Sequence, residues 1–240
     1  MKVLVFDVWS DFAHFRKYYT TTSPLTFSFP PPPTIAGILG AIYGTDKNQN
    51  EHLKVFGNCK LGLKILNPIK KVRMGLNLLE TKGKNIKVPM SDNNLEPRTQ
   101  IRTEFIRDPK FRIYISNDGI RIFSRLVEKV QRHESIYTIS LGLSELLSGF
   151  KYVGLYEAKE VISDSAAEIS SPVVVSNLRP DGLEIEIGKR YFREKIPIVM
   201  DQQRVVERYE DVIFEPQGKT IRARVKLYHK LENGENITFF

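Results

Sequence analysis

The chain has 240 residues, 41% apolar and 27% charged, a composition typical of a globular protein with a sizeable core. A single cysteine excludes an intrachain disulfide and a Cys-based zinc site, and the four histidines show no metal-ligand spacing. The longest apolar run is shorter than the roughly 20 residues of a membrane helix, and the N-terminal stretch does not resemble a signal peptide. We therefore expect a cytoplasmic protein without a metal, a cofactor or a membrane partner.

The positive charge of the chain is concentrated in one segment. The whole chain carries 36 Lys+Arg and 28 Asp+Glu, a formal net charge of +8. Residues 60–130 contain 16 Lys+Arg and 7 Asp+Glu, a net +9, whereas the remaining residues contain 20 and 21, a net −1. Because the whole excess lies in less than a third of the chain, it predicts a surface for a polyanion, with nucleic acid favoured over a membrane.

The first predicted elements are a strand and a helix. Lys2 to Val8 is rich in β-forming residues and predicts the strand. The polar and aromatic segment that follows shows no helical period. Four consecutive prolines, 30–33, then lead into a predicted helix over about 34–44, in which small residues recur at four-residue spacing.

The basic segment begins with strand patterns. Residues 58–79 predict two strands interrupted near Asn67–Pro68, and the polar stretch 80–97 predicts a hairpin tip or a mobile excursion. Strand patterns resume at 98–106 and at 111–116. Alternation within the first of these places four polar side chains on one face: Arg98, Gln100, Arg102 and Glu104.

The next elements complete an α+β unit. Residues 119–134 have the apolar spacing of an amphipathic helix, 140–149 predict a short helix with a glycine stop, and 150–162 predict a strand. The order β-α-β-β-α-β is that of a ferredoxin-like (RRM-like) domain. We predict such a domain at 1–162, with a long insertion at about 80–97 in its central hairpin.

The pattern changes after residue 162. Short β-like runs recur between Pro, Gly and Asn turns, and no second helix pair is predicted. Residues 163–240 therefore predict a smaller, β-rich C-terminal part.

The basic residues and tyrosines suit single-stranded RNA. Lys and Arg contact phosphates, and Tyr18, Tyr19 and Tyr114 could each offer a ring to an unpaired base. The alternative is a solvated sheet face, which is the commoner meaning of a charge run. The concentration of the whole excess in one segment favours binding.

A second cluster, around His14, could in principle cleave RNA. Cleavage without metal needs a general base near the 2′-hydroxyl and an acid at the leaving oxygen, and His14, Lys17 and Tyr18 are suitable groups. The alternative places the neighbouring aromatic residues in the core and the cations against phosphate or a partner. Spacing alone does not establish a catalytic site, so we prefer the alternative.

Three blocks of the sequence resemble the CRISPR-associated protein 5 family. Residues 12–44, FAHFRKYYTTTSPLTFSFPPPPTIAGILGAIYG, resemble its N-terminal signature, an Ala-x-Phe-Arg segment followed by Pro-Pro-x-x-x-x-Gly-x-Leu-Gly. Residues 102–115 and 137–154 resemble later blocks of the same family. The resemblance is closest to type I-B.

The resemblance implies a RAMP-superfamily protein whose central hairpin extends as a thumb. Such proteins lie at the foot of a Cascade surveillance complex, hold the 5′ handle of the crRNA and contact the backbone RAMP subunit and the large subunit. The implied partners are therefore crRNA and these subunits, in a hetero-oligomer. The predicted RNA-binding residues are Arg16, Lys17, Tyr18, Lys71, Arg73, Lys82, Lys84, Lys87, Arg98, Arg102 and Arg107.

The family also raises the question of catalysis. In its type I-C branch the protein cuts pre-crRNA, and that branch's adjacent Lys-His pair has no counterpart on the predicted hairpin here. We therefore expect a non-catalytic scaffold subunit, with a metal-independent endoribonuclease as the alternative. A basic module that binds an acidic protein is a third possibility.

Overall fold

The computed structural model describes residues 1–20, 22–79, 98–116 and 120–240. The α-helices in these ranges are α1 (Pro32–Tyr43), α2 (Glu51–Phe56) and α3 (Ile120–Gln131). The strands up to residue 161 are β1 (Lys2–Trp9), β2 (Phe12–Ala13), β3 (Lys60–Ile65), β4 (Lys70–Leu79), β5 (Arg98–Arg107), β6 (Lys110–Ser116) and β7 (Gly149–Val161). The later strands are β8 (Ala167–Ile169), β9 (Val173–Val174), β10 (Leu178–Leu183), β11 (Phe192–Met200), β12 (Val206–Phe214), β13 (Ile221–Val225), β14 (Tyr228–Leu231) and β15 (Asn236–Ile237). The predicted α+β composition is confirmed.

A six-stranded antiparallel sheet forms the body of the protein, in the order β15-β14-β7-β1-β6-β3. Strand β1 lies inside this sheet, and its alternate side chains enter two different cores. Leu4 and Phe6 pack with the helices, whereas Val3 and Val5 pack with β14 and β15 on the other face. Burial on both faces explains why this strand has an almost continuous apolar sequence.

Helix α1 is confirmed and begins earlier than predicted. Pro31 is its N-cap and Pro32 its first residue, because a proline has no N–H to leave unpaired at that position. Gly44 ends the helix with a φ of +93°, and its N–H donates to the Gly40 carbonyl at 2.8 Å. Among the described helices, none is long and apolar enough to cross a membrane.

The predicted interruption near Asn67–Pro68 is confirmed, and it separates two sheets. Strand β3 belongs to the six-stranded sheet, whereas β4 lies in a three-stranded sheet of order β2-β5-β4. Strands β4 and β5 pair over ten positions, from Lys70↔Arg107 to Leu79↔Arg98. The predicted thumb insertion at 80–97 lies outside the described residues.

The predicted helix at 140–149 is wrong. This segment is a turn in which Ser140 and Leu147 form a bridge and the Ser148 N–H donates to the Ile139 carbonyl at 2.9 Å. Gly142 has a φ of +108°, which is incompatible with a helix. The adjacent Leu141 carbonyl accepts from the His14 N–H at 3.0 Å, so the turn is tied to the N-terminal segment.

The C-terminal region is rich in strands, as predicted, and it returns to the body. Two small sheets have the orders β10-β13-β8 and β11-β12-β9. Strands β14 and β15 extend the six-stranded sheet beyond β7. Residues after 162 therefore help to cover the face of that sheet opposite the helices.

Candidate nucleic-acid interface

The N-terminal loop and the β4–β5 hairpin meet at Glu104. The Glu104 N–H donates to the Pro24 carbonyl at 2.9 Å, and its own carbonyl accepts from His14 Nδ1 at 2.7 Å. Its carboxylate lies 3.4 Å from Lys71 Nζ and 3.7 Å from Arg73 Nε. These contacts hold the segment that carries Arg16–Tyr18 at the base of the basic hairpin.

One face of this hairpin carries exposed cations around a gap. The register pairs Arg73 with Glu104 and Gly75 with Arg102, so Arg73 and Arg102 lie on the same face. Because Gly75 has no side chain, an open depression of about 370 Å³ remains between them, and Gln100 also lines it. Arg73 is 68% exposed, and in the described part of the chain Arg102 forms no ion pair.

Two lysines that were predicted to bind RNA are bound instead to groups of the protein itself. Lys71 Nζ donates to the Thr26 carbonyl at 2.8 Å in addition to its contact with Glu104. Lys17 forms an ion pair with Glu194, and both side chains are largely buried. Burial alone would lower the pKa of Lys17, but the Glu194 carboxylate raises it above its ordinary value, so the ammonium stays charged.

Arg16 and Tyr18 remain at the surface. An Arg16 guanidinium N–H donates to the Thr20 carbonyl at 3.0 Å, and the Tyr18 side chain is 57% exposed. Together with Arg73 and Arg102 they form the exposed part of the predicted site.

The other predicted residues lie elsewhere. Arg107 is three positions from Glu104 in β5, hence on the opposite face, and its Nε lies 3.2 Å from the Asp108 carboxylate. Arg98 is the first residue of β5, and its side chain is outside the described part. The three predicted thumb lysines also fall outside the described residues: Lys82, Lys84 and Lys87.

His14 is enclosed by the protein. It is 3% exposed, and its ring centroid lies 5.6 Å from that of Phe105. Because a carbonyl can only accept, the hydrogen bond to Glu104 fixes the proton on Nδ1. Burial lowers the pKa of His14, so the imidazole is neutral at pH 7. Among the described residues no group of three His, Cys, Asp or Glu side chains could hold a metal ion.

The prediction that Tyr114 offers a ring to bases is wrong. This tyrosine is fully buried in the six-stranded sheet, and its hydroxyl donates to Glu235 Oε2 at 3.0 Å. Burial raises its pKa above the ordinary value. Its role is therefore to join the sheet to the C-terminal strands.

The sequence did not indicate two parts of this surface. Gly75 matters only through the register that places it opposite Arg102, and register is not readable from one strand. Tyr209 of β12 lies 5.0 Å from Tyr18, measured between ring centroids, although almost the whole chain separates them. Both could have been found only through pairings between distant segments.

Part of the chain matches a known protein family. The family described as "CRISPR-associated protein (Cas_Cas5)" matches residues 3–92. These residues include the N-terminal block, α1 and β4. A comparison with curated proteins gives no match.

Several solved structures have a similar fold. A CRISPR protein from Archaeoglobus fulgidus is 15% identical, with a TM-score of 0.58 over 98% of this chain and 97% of that one. A chain of the type III-B Cmr-beta complex bound to cognate target RNA and AMPPnP is 12% identical, with a TM-score of 0.53 over 92% and 86%. A chain of a CRISPR RNA-guided surveillance complex is 10% identical, with a TM-score of 0.51 over 93% and 92%. At these identities the similarity concerns the fold alone.

Proposed function

We propose that the chain is a member of the CRISPR-associated protein 5 family, and that it is a non-catalytic subunit of a type I-B Cascade complex that holds the 5′ handle of the crRNA. The observation that carries this proposal is the exposed pair Arg73 and Arg102 on one face of the β4–β5 hairpin. Two guanidinium groups beside an open depression suit the phosphates of a single strand.

The proposed fold is a ferredoxin-like RAMP domain. Within the body, the strands β7-β1-β6-β3 are adjacent and antiparallel. Helix α1 lies in the chain between β1 and β3, and α3 lies between β6 and β7. This connectivity supports the split β-α-β arrangement, with β4 and β5 as the beginning of the thumb.

The proposal of a non-catalytic role rests on the environment of the candidate acid–base groups. His14 is buried with one ring nitrogen already donating to a carbonyl, and Lys17 is held by Glu194. A general base must reach the proton that it removes, and a buried imidazole does not reach a 2′-hydroxyl at the surface. The arrangement favours a structural role for both residues.

The proposed partners are crRNA, a backbone RAMP subunit and the large subunit, assembled in the cytoplasm. Support comes from the fold, which is similar to chains in a surveillance complex and in a Cmr complex. The near-neutral remainder of the chain, net −1 outside 60–130, suits surfaces that dock against other proteins.

Handle binding can be tested with purified protein, alone and with its Cascade partners. We expect it to bind RNA that carries the repeat-derived handle more tightly than a shuffled sequence, in magnesium and in EDTA alike. Affinity should fall steeply with salt, because phosphate contacts release counterions. Equal affinity for handle and shuffled RNA in both preparations would contradict the proposal.

Cleavage can be tested separately by incubating repeat RNA with the protein in EDTA. We expect intact RNA; a cleavage product that disappears in a His14→Ala variant would establish the endoribonuclease instead. Retention of RNA through a high-salt wash would argue against the third possibility, a module for an acidic protein.

A further inference from the structure

Three tyrosines from two distant parts of the chain form one cluster at the surface. The Tyr18 ring centroid lies 5.2 Å from that of Tyr19, in an edge-to-face arrangement, and 5.0 Å from that of Tyr209. Tyr18 and Tyr19 are 57% and 59% exposed. Tyrosine rings that cluster at a surface are typical of interaction sites, so the cluster suits a binding surface.

A largely buried ion pair next to the tyrosines holds the cluster in place. The ion pair between Lys17 and Glu194 is largely buried, and Glu194 also accepts from the Ser28 N–H at 3.0 Å. Glu194 lies in β11, which pairs with β12 so that Pro197 is opposite Tyr209. The N-terminal loop and the β11–β12 hairpin are thereby fixed to each other, which orders the rings before any ligand binds.

One cation contacts a ring of the cluster, and a second lies next to the cluster in the sequence. Lys195 Nζ lies 5.9 Å from the centre of the Tyr209 ring, and Arg16 precedes the two N-terminal tyrosines. Within the described ranges, neither Arg16 nor Lys195 has a carboxylate within 4 Å. The nearby carboxylate of Asp211 is instead paired with Arg193, at 2.7 Å. Aromatic rings beside cations are typical of a site for single-stranded nucleic acid.

The loop that carries Tyr18 and Tyr19 is attached to the basic hairpin. The Thr26 N–H donates to Glu104 Oε1 at 3.3 Å, and the Thr26 carbonyl accepts from Lys71. Thr26 forms a bridge with Arg16, so the loop that carries the tyrosines is attached to the strands that carry Arg73. A protein partner could also cover exposed tyrosines, but the attachment of their loop to the hairpin that carries Arg73 and Arg102 favours RNA.

We propose that the β11–β12 hairpin is part of the RNA-binding surface, and that Tyr18, Tyr19 and Tyr209 form a stacking platform for unpaired bases. This inference rests on the proposed function, and it adds a C-terminal contribution to a surface that the sequence placed in the N-terminal part. Stacking does not depend on base identity, since every base has a π-face. The platform therefore accepts single strands and not the closed edges of a duplex.

The test compares three variants of the full chain: Tyr209→Ala, Tyr209→Phe and Tyr137→Ala. Tyr137 is 48% exposed in the loop after α3, and its variant serves as the matched control. The probes are fluorescent oligoadenosine of about 12 nucleotides, within the range of one stacking groove, and a paired RNA duplex of equal length. Lys195→Glu is added because it leaves all three rings in place.

We expect Tyr209→Ala to weaken oligoadenosine binding about tenfold, the usual loss for one stacked base, and to leave duplex binding unchanged. Tyr209→Phe should bind within twofold of the wild type, because phenylalanine keeps the ring. Lys195→Glu should also weaken binding of the single strand. Near-identical thermal melting of Tyr209→Phe and the wild type would show that the hairpin remains folded.

Two results would overturn the inference while leaving the proposed function intact. In the first, the wild type binds RNA and Tyr209→Ala binds as tightly as Tyr137→Ala. In the second, Tyr209→Ala keeps its RNA affinity and loses a Cascade subunit, which would make the cluster a protein contact. A wild-type protein that binds neither oligoadenosine nor handle RNA would overturn both proposals.

Discussion

Lys64 Nζ lies 2.5 Å from Glu235 Oε1, and this ion pair joins residues 171 positions apart in the chain. Glu235 also accepts from the Tyr114 hydroxyl at 3.0 Å and from Asn233 Nδ2 at 3.1 Å. The pair fastens the turn between β14 and β15 to strand β3. On the face of the sheet opposite the helices, the C-terminal strands are therefore held by an ion pair as well as by apolar contacts.

Removing the charge of Glu235 should destabilise the fold. We expect Glu235→Gln to lower the free energy of unfolding by about 2 kcal/mol, less than for a fully buried pair because the two side chains remain partly exposed. Urea denaturation monitored by circular dichroism measures this. Glu207→Gln, an exposed position, is the control, and an equal effect of both variants would remove any special role for the ion pair.

The same pair predicts an acid-dependent loss of stability. Burial alone would raise the pKa of Glu235, but Lys64, Asn233 and Tyr114 together hold it below its ordinary value of 4.5. The unfolded chain then binds the proton more readily, so the stabilisation is complete above pH 4.5 and is lost as the pH falls through the lower folded value. Melting temperatures of wild type and Glu235→Gln should converge below that pH; a constant difference would contradict the assignment.

The hairpin arginines should carry RNA affinity and not stability. We expect the double variant Arg73→Ala/Arg102→Ala to bind handle RNA at least about tenfold more weakly, and to reduce the salt slope by about 1.4, for two lost phosphate contacts. Its melting temperature should match that of the wild type. The variant Arg121→Ala/Arg132→Ala, with Arg121 on α3 and Arg132 directly after it, removes the same charge elsewhere. Equal losses of affinity in both variants would therefore attribute the effect to net charge alone.

Filling the gap at Gly75 should separate stability from binding. A Cβ at this position would lie 3.1 Å from Gln100 Nε2, the far end of a side chain that can move. Valine favours strands over glycine, so Gly75→Val should keep or raise the melting temperature while weakening RNA binding. Gly75→Ala should be intermediate, and unchanged affinity in both variants would show that RNA does not enter the depression.

Comparing alanine substitutions at Gly142 and Gly188 tests how tightly the N-terminal segment is packed against the turn at Gly142. A Cβ at Gly142 would lie 1.9 Å from the His14 carbonyl oxygen, whereas at Gly188 nothing lies within 4 Å. Both have positive φ, +108° and +81°. Gly188→Ala should therefore cost about 1 kcal/mol from backbone strain, and Gly142→Ala several times more, because backbone would have to move. Equal costs would mean that the turn can shift away from His14.

The sequence predicted elements well where the apolar pattern was long and regular. Strand β1, helix α1 and helix α3 were all found, and the interruption near Asn67–Pro68 falls where proline ends strand pairing. The predicted helix at 140–149 failed because Gly142 and the contact with His14 impose a turn on a segment with helical composition. Local preference was overridden there by a partner that is distant in the sequence.

In the candidate site, too, local patterns were predicted correctly and contacts between distant segments were not. Alternation in β5 correctly placed Gln100 and Arg102 on one face, where both are exposed, because a period of two is visible within a single strand. The capture of Lys17 by Glu194 and the burial of Tyr114 could not be read from the sequence. Both depend on which strands become neighbours, and one sequence without structure does not contain that information.

The contact between Glu194 and Ser28 has a consequence for synthesis. Its two residues are 166 positions apart, so the segment around Tyr18 leaves the ribosome long before β11 exists to receive it. Domains fold as the chain emerges, yet the contacts of this loop with β11 and β12 cannot form until most of the protein has been made. The surface that we assign to RNA is therefore assembled late, and a nascent chain presents its basic hairpin to nucleic acid before the tyrosine cluster is complete.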